Sequence, residues 1–189
     1  LVYNPTDNKV YCANLGSYDV TVIDGATNNV ITTVPTGLYP YALTYNSTNN
    51  KVYCATDSFD NVIVIDGATD SLIAIILVGS KPRALVYNPT NNQVYCLNMY
   101  SGTLSVIDGA GDSVITTIPV GSMPYALVYN STDNKVYCSN YFSYNVTVID
   151  GATNNVITTI PTGQYPYGLA YNPTNNRVYC ANWGSDNVS

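Results

Sequence analysis

The stretch "NKVYCAN" beginning at Asn8 returns as "NKVYCAT" from Asn50, "NQVYCLN" from Asn92, "NKVYCSN" from Asn134 and "NRVYCAN" from Asn176. Cys12, Cys54, Cys96, Cys138 and Cys180 follow one another at intervals of 42 residues, and the "IDG" triplets at Ile23, Ile65, Ile107 and Ile149 keep the same step. A fixed period of this length outranks any reading of single elements, because each repeat must be one unit that buries its apolar surface against copies of itself. Within one period, "LVY", "KVYCA", "VTVI" and "VITTV" carry β-branched and aromatic residues, while "NPTDN", "NLGSYD", "DGATNN" and "PTGLYP" are turn chemistry. Four strands of about 5 to 6 residues with four short turns fill a unit of roughly 40 to 45 residues, the size of one four-stranded propeller blade.

The strand "VYCA" has no polar alternate, which suits a sheet covered on both faces rather than one with a wet side. We therefore expect Val10 and Cys12 to pack toward one neighbouring blade and Tyr11 and Ala13 toward the other. The expected fold is an all-β propeller of 42-residue, four-stranded blades: full repeats 1–42, 43–84, 85–126 and 127–168, then a half repeat 169–189 carrying two strands, or 4.5 blades of a partial ring. An immunoglobulin-like sandwich needs about 100 residues per domain, and a β-helix repeats over a much shorter rung. Asp24-Gly25 reads as a turn that tolerates positive φ. Gly37, Gly79, Gly121 and Gly163 ahead of Pro40, Pro82, Pro124 and Pro166 read as stiff crossovers. A partial ring leaves strand groups and a blade face uncovered, so further sequence, another chain or self-association is expected to complete it. The chain has no initiator methionine and no basic-then-apolar leader, and is expected to be a mature or excised piece.

The repeat, legible as "NPTNNQVYCLN" from Asn88, "VIDGATNNVITTIPTG" from Val148 and "PYGLAYN" from Pro166, resembles the YVTN family of β-propeller repeats known from archaeal surface-layer proteins and secreted bacterial proteins. The likeness runs through the whole chain, with cysteine where that family usually has valine or isoleucine. It implies an extracellular or cell-surface scaffold or adhesion module without assigned chemistry.

The residues themselves narrow the chemistry. With 46% hydrophobic and 10% charged residues the chain can bury a large core, and its 12 acidic residues are all aspartate. A net charge of -6 with six scattered Lys and Arg argues against nucleic acid. The longest apolar run, "LIAIILVG" from Leu72, is too short for a membrane span. Histidine is missing, which removes most catalytic triads and histidine-bearing metal sites. The cysteines stand one per repeat and are expected to be free, buried thiols. Asp24, Asp66, Asp108 and Asp150 read as turn openers, and Asp57, Ser58 and Asp60 lack the ordered ligand series of a calcium loop. No catalytic residue, metal or cofactor is expected.

Three groups of residues remain as candidates for contact. The loop after the cysteine strand holds Leu15, Asp57, Met99, Tyr141 and Trp183 in one register, and with Tyr144, and Tyr39 and Tyr165 on the other same-side loop, it reads either as an aromatic face of the kind that glycans or protein partners use or as tyrosine-rich turns that cap the blades. The outermost strand of the second repeat places Ala74, Ile75 and Leu77 where the first has Thr32, Thr33 and Pro35, either as a rim interface or folded under a local loop. Asn46, Asn130, Asn145 and Asn187 open N-x-S/T triplets, as many as chance supplies in a chain this rich in these residues; Asn46 and Asn130, in turns, are expected to be the more accessible. The leading expectation is a non-enzymatic cell-surface propeller that acts by multivalent contact in envelope or filament assembly, adhesion or glycan or protein binding. Its rivals are the propeller portion of a secreted or periplasmic enzyme whose catalytic residues lie elsewhere, and a soluble glycan-binding module.

Overall fold

The computed structural model describes residues 1–189 and consists of strands joined by turns. Five antiparallel sheets follow in chain order. The first holds β1 (Val2–Asn4), β2 (Lys9–Asn14), β3 (Asp19–Asp24) and β4 (Val30–Pro35), and the second β5 (Pro40–Asn46), β6 (Lys51–Thr56), β7 (Asn61–Asp66) and β8 (Leu72–Leu77). The third holds β9 (Pro82–Asn88), β10 (Gln93–Asn98), β11 (Thr103–Asp108) and β12 (Ser113–Pro119); the fourth β13 (Pro124–Asn130), β14 (Lys135–Asn140), β15 (Asn145–Asp150) and β16 (Val156–Pro161). The last has three strands, β17 (Pro166–Asn172), β18 (Arg177–Asn182) and the short β19 (Asn187–Val188), rather than the two expected.

The first strands of successive sheets lie side by side, so β1, β5, β9, β13 and β17 surround an axis and β4, β8, β12 and β16 form the rim. This is an arc of β-propeller blades. Each sheet after the first begins at the proline that ends a crossover, so the repeat boundaries at 42/43, 84/85, 126/127 and 168/169 fall inside the innermost strands. The first and last sheets do not close on each other, and Leu1, Tyr3, Tyr179 and Val188 are exposed.

Burial follows the two-sided reading of the cysteine strand. Tyr11, Val20, Val22 and Val34 of the first sheet form one cluster with Val52, Cys54, Ile63 and Ile65 of the second, with Ala13 packed against it. Tyr53, Val62, Val64 and Ile76 of the second meet Val94, Cys96 and Ile107 of the third. Tyr95, Leu97, Leu104 and Val106 of the third meet Val136, Cys138 and Ile149 of the fourth. Tyrosine and its alternate thus face the following blade, and valine and cysteine the preceding one. Each fully buried large side chain stabilises by roughly 1.5–3 kcal/mol relative to exposure, so these seams dominate the fold.

Polar groups fix the register of each seam. Tyr11 Oη donates to Asp70 Oδ1 at 2.7 Å and Gly67 O at 3.2 Å, in the β7–β8 turn of the next sheet. Tyr53 reaches Asp112 in the same way, and Tyr95 reaches Asn154. Lys9 pairs with Asp70 at 2.9 Å and Lys51 with Asp112 at 2.7 Å. Where the turn residue is the neutral Asn154, the lysine position holds the neutral Gln93. Burial first, and then the carboxylate, pushes the Tyr11 and Tyr53 phenols well above their ordinary value.

A second clasp explains the motif "NPTNN". Asn88 Oδ1 accepts Thr90 N–H at 2.9 Å within its own turn, while its Nδ2 donates to Asn134 Oδ1 of the next sheet at 2.8 Å. Asn46 does the same with Asn92 at 2.8 Å, and Asn130 with Asn176 at 2.9 Å. Asn46 and Asn130 are consequently buried, which corrects their expected accessibility as glycan acceptors. Asn145 is half-buried and Asn187 exposed; each uses its side-chain oxygen to accept from the asparagine ending the cysteine strand.

The "DGATN" turn also differs from its reading. Asp24 Oδ1 accepts the N–H groups of Ala26 and Thr27 at 2.9 and 2.7 Å, as a turn aspartate should. Positive φ falls on Asn28, Asp70 and Asp112, not on the glycine. Glycine is required instead by close approach at the seam: a Cβ on Gly67 would come within 2.7 Å of Asn4 Nδ2 in the preceding sheet. In the crossovers, positive φ sits on Tyr39, Lys81, Met123 and Tyr165, directly before each proline.

All five thiols are free, and four are buried. Desolvation pushes Cys54 up to about 12 and Cys180 up to about 11, with Cys96 and Cys138 also raised. Cys12 is half-buried on the face of the first sheet turned away from the second. A thiol reagent applied to native protein at mildly alkaline pH should therefore modify Cys12 alone, and all five cysteines after denaturation; prompt reaction at the other four would contradict the packing. The tyrosine latch has its own test by urea unfolding. Tyr53→Phe removes a hydrogen bond to a charged acceptor and should cost about 1.5–3 kcal/mol. Tyr137→Phe, whose hydroxyl meets no following turn, should stay within about 0.5 kcal/mol of the parent.

Candidate functional site

One end of the arc collects the β2–β3-type hairpin loops and the crossovers, which hydrogen-bond to each other. Asp57 N–H donates to Tyr39 O, Tyr141 N–H to Met123 O and Trp183 N–H to Tyr165 O, each at 3.0 Å. A buried asparagine, Asn98, Asn140 or Asn182, braces the base of each of the last three hairpins, and Thr56 takes that place in the second. Asn140 Nδ2 reaches Asn145 Oδ1 at 2.7 Å and Thr147 Oγ1 at 2.8 Å, and Asn182 repeats the arrangement on Asn187. The loops carrying Tyr141 and Trp183 are therefore held before any ligand arrives, which lowers the ordering cost of binding.

On these loops the expected aromatic residues come together, with one exception. Tyr141 stacks on Tyr165 at 4.8 Å between ring centroids and lies 6.4 Å from Trp183; Tyr144 meets Tyr165 edge-on at 5.4 Å. Tyr39 stands apart, edge-on to Tyr18 at 5.5 Å, and lines a polar trough of about 410 Å³ with Asp57, Asp60, Lys81 and Tyr100. The carboxylates there are engaged: Asp57 pairs with Arg83 at 3.2 Å, and Asp60 accepts Lys81 N–H at 2.8 Å.

The innermost strands add residues that strand alternation hid. The ladder of every innermost strand after the first skips one residue just after its first proline, so that Pro40 pairs with Thr56 but Ala42 with Ala55. The same shift bypasses Arg83, Tyr125 and Tyr167. A bulge of this kind re-aims its side chain, and here it turns one residue per blade toward the mouth of the axis. Tyr125 and Tyr167 stack at 4.2 Å, and Tyr125 Oη donates to Tyr167 Oη at 2.9 Å. Arg83 lies over the Tyr41 ring at 4.1 Å. The signal available in sequence was the series Tyr41, Arg83, Tyr125 and Tyr167 directly after the crossover prolines.

Tyr125, Tyr141, Tyr167 and Trp183 wall an open trough of about 490 Å³ between the fourth and fifth sheets. Its surface is aromatic, and Trp183 is 69% exposed. The hydrogen bond to Tyr167, then burial, pushes Tyr125 up to about 12; burial raises Tyr141, and the hydrogen bond to Tyr165 raises Tyr144. These phenols are protonated donors at neutral pH. The trough offers ring faces together with hydroxyls, the combination that holds a molecule having both an apolar face and polar edges.

The rim residues divide. Ala74 packs inward with Ile76 on the core between the second and third sheets, whereas Ile75 and Leu77 are exposed, with no loop folded over them.

No protein-family model matches the chain, and no curated protein sequence does. Solved structures match its fold. The dihydro-heme d1 dehydrogenase NirN aligns with a TM-score of 0.81 at 16% identity, over 97% of this chain and 41% of NirN. A functionally unknown protein from Desulfotomaculum acetoxidans aligns at 0.82 and 11% identity, over 100% of this chain and 67% of the other. A candidate 6-phosphogluconolactonase from Bacteroides uniformis aligns at 0.78 and 14% identity, over 98% of this chain and 64% of the other. At such identities the likeness is one of fold, a β-propeller arc.

Proposed function

We propose that this propeller is a non-enzymatic binding module of the cell surface or extracellular space, and that it takes carbohydrate in the aromatic trough. The observation that carries the reading is the wall of Tyr125, Tyr141, Tyr167 and Trp183, preorganised by main-chain bonds and open to solvent. A pyranose ring presents a face of weakly positive C–H groups that suits the negative face of an aromatic ring, and hydroxyls at its edge that suit phenols. The resemblance of the repeat to YVTN propellers supports the location and a part in envelope assembly or adhesion. Support for the rival, the propeller portion of a secreted or periplasmic enzyme, comes from the enzyme names of two of the similar folds.

Trp183 is the chain's one tryptophan, so intrinsic fluorescence reports on the trough directly. Titration with neutral cell-wall oligosaccharides should shift or quench its emission saturably. Tyr167→Ala should weaken binding about tenfold or more, as expected when a well-packed aromatic contact is lost, while Tyr39→Ala leaves it unchanged. Absence of binding across such oligosaccharides would defeat the carbohydrate reading, and chemical conversion of a bound sugar would favour the enzyme.

A further inference from the structure

The rim strands β4, β12 and β16 end alike. Each carries an exposed threonine, Thr33, Thr117 or Thr159, and then an exposed proline, Pro35, Pro119 or Pro161. Threonine keeps the stripe polar, and a proline at a sheet edge has no N–H to offer an incoming strand; both are ways to stop edge-to-edge association. In β8 the equivalent residues are Ile75 and Leu77, 60% and 76% exposed. Val78 N–H donates inward to Asp60 O at 2.9 Å, and Leu77 stands opposite Asn61 and Ile75 opposite Ile63. The alternation of an antiparallel ladder therefore turns the N–H and C=O groups of Ile75 and Leu77 outward. At the Leu77 position the sister strands have removed that donor.

We infer that β8 is a self-pairing edge, through which two copies of this chain join in a two-fold antiparallel dimer. Pairing Ile75 with Leu77 of a second copy, and Leu77 with its Ile75, about an axis at Ile76 gives every outward N–H a carbonyl partner and gathers the four apolar side chains on one face. A two-fold needs this self-complementarity, and an uncharged antiparallel strand supplies it. Leu72 to Leu77 carries no charge, and the preceding Asp70 is bound to Lys9 at 2.9 Å, so two chains of net charge -6 meet without like charges facing each other. The strand also lacks the charged side chains by which an edge selects a foreign partner. The contact is small beside the roughly 1,200–2,000 Å² of a standard interface, so the dimer is weak and concentration-dependent.

This surface lies on the rim and is independent of the carbohydrate reading. Sedimentation velocity over a concentration series tests it on the parent chain and on Ile75→Thr/Leu77→Pro, the residues with which three sister strands already fold. The parent should show a reversible monomer–dimer equilibrium, and the variant a dissociation constant about tenfold higher or more, because outward hydrogen bonds and apolar contact are lost together. Ile75→Lys, which leaves the main chain intact, should do likewise and serves if the proline variant unfolds. A parent that stays monomeric, or variants that associate as tightly as the parent, would overturn the inference; the latter would place the contact on the open faces of the first or fifth sheet.

Discussion

A sheet that is apolar on both sides cannot remain a single layer in water, and the architecture follows from that constraint. The cysteine strand of each repeat presents tyrosine and a small residue on one side, valine and cysteine on the other, and all but the terminal copies find both sides covered. Hydrophobic burial supplies the drive but has no direction. Direction comes from the phenol latch on the next blade's turn and from the paired asparagines beside it, at the same end of each seam. These buried polar groups are matched one to one, so a blade displaced along its neighbour would leave several of them unpaired at once.

Because the seams and the asparagine end of the molecule meet the structural demands, the other end is free to vary. Hairpin positions that hold Leu15, Asp57, Met99, Tyr141 and Trp183 share one backbone geometry and differ in chemistry. The bulge positions behave alike, with tyrosine at three and Arg83 at the fourth. Aromatic character accumulates toward the fourth and fifth sheets, where stacked rings form a continuous wall. Toward the second and third sheets the same positions carry Asp57, Lys81 and Arg83, and the surface is polar. One scaffold thus presents two unlike mouths side by side.

Much of this architecture is legible in the sequence alone. The 42-residue period set the strand count per blade, and the unbroken apolar strand required cover on both faces. Grouping Tyr141, Tyr144, Tyr165 and Trp183 on one end needed only the order of strand and turn. Tyr125 and Tyr167 were hidden because a regular alternation of side chains has no place for a bulge, which skips one residue and reverses its aim. Asn46 and Asn130 misled because N-x-T is a turn signature, and only the neighbouring blade turns that turn into an interior. Ala74 was grouped with Ile75 and Leu77 by substitution pattern, yet pleating sends it to the opposite face.

The seam bonds of the latches and clasps join residues 39 to 61 positions apart, always between one blade and the next. Deleting or duplicating a stretch of one period therefore leaves every latch and clasp with an equivalent partner. Unequal recombination within the gene can change the size of the ring in whole steps without creating a mismatched joint, provided the ionic and neutral pairs stay in phase. Lys9 with Asp70, Lys51 with Asp112, and Gln93 with Asn154 set that phase.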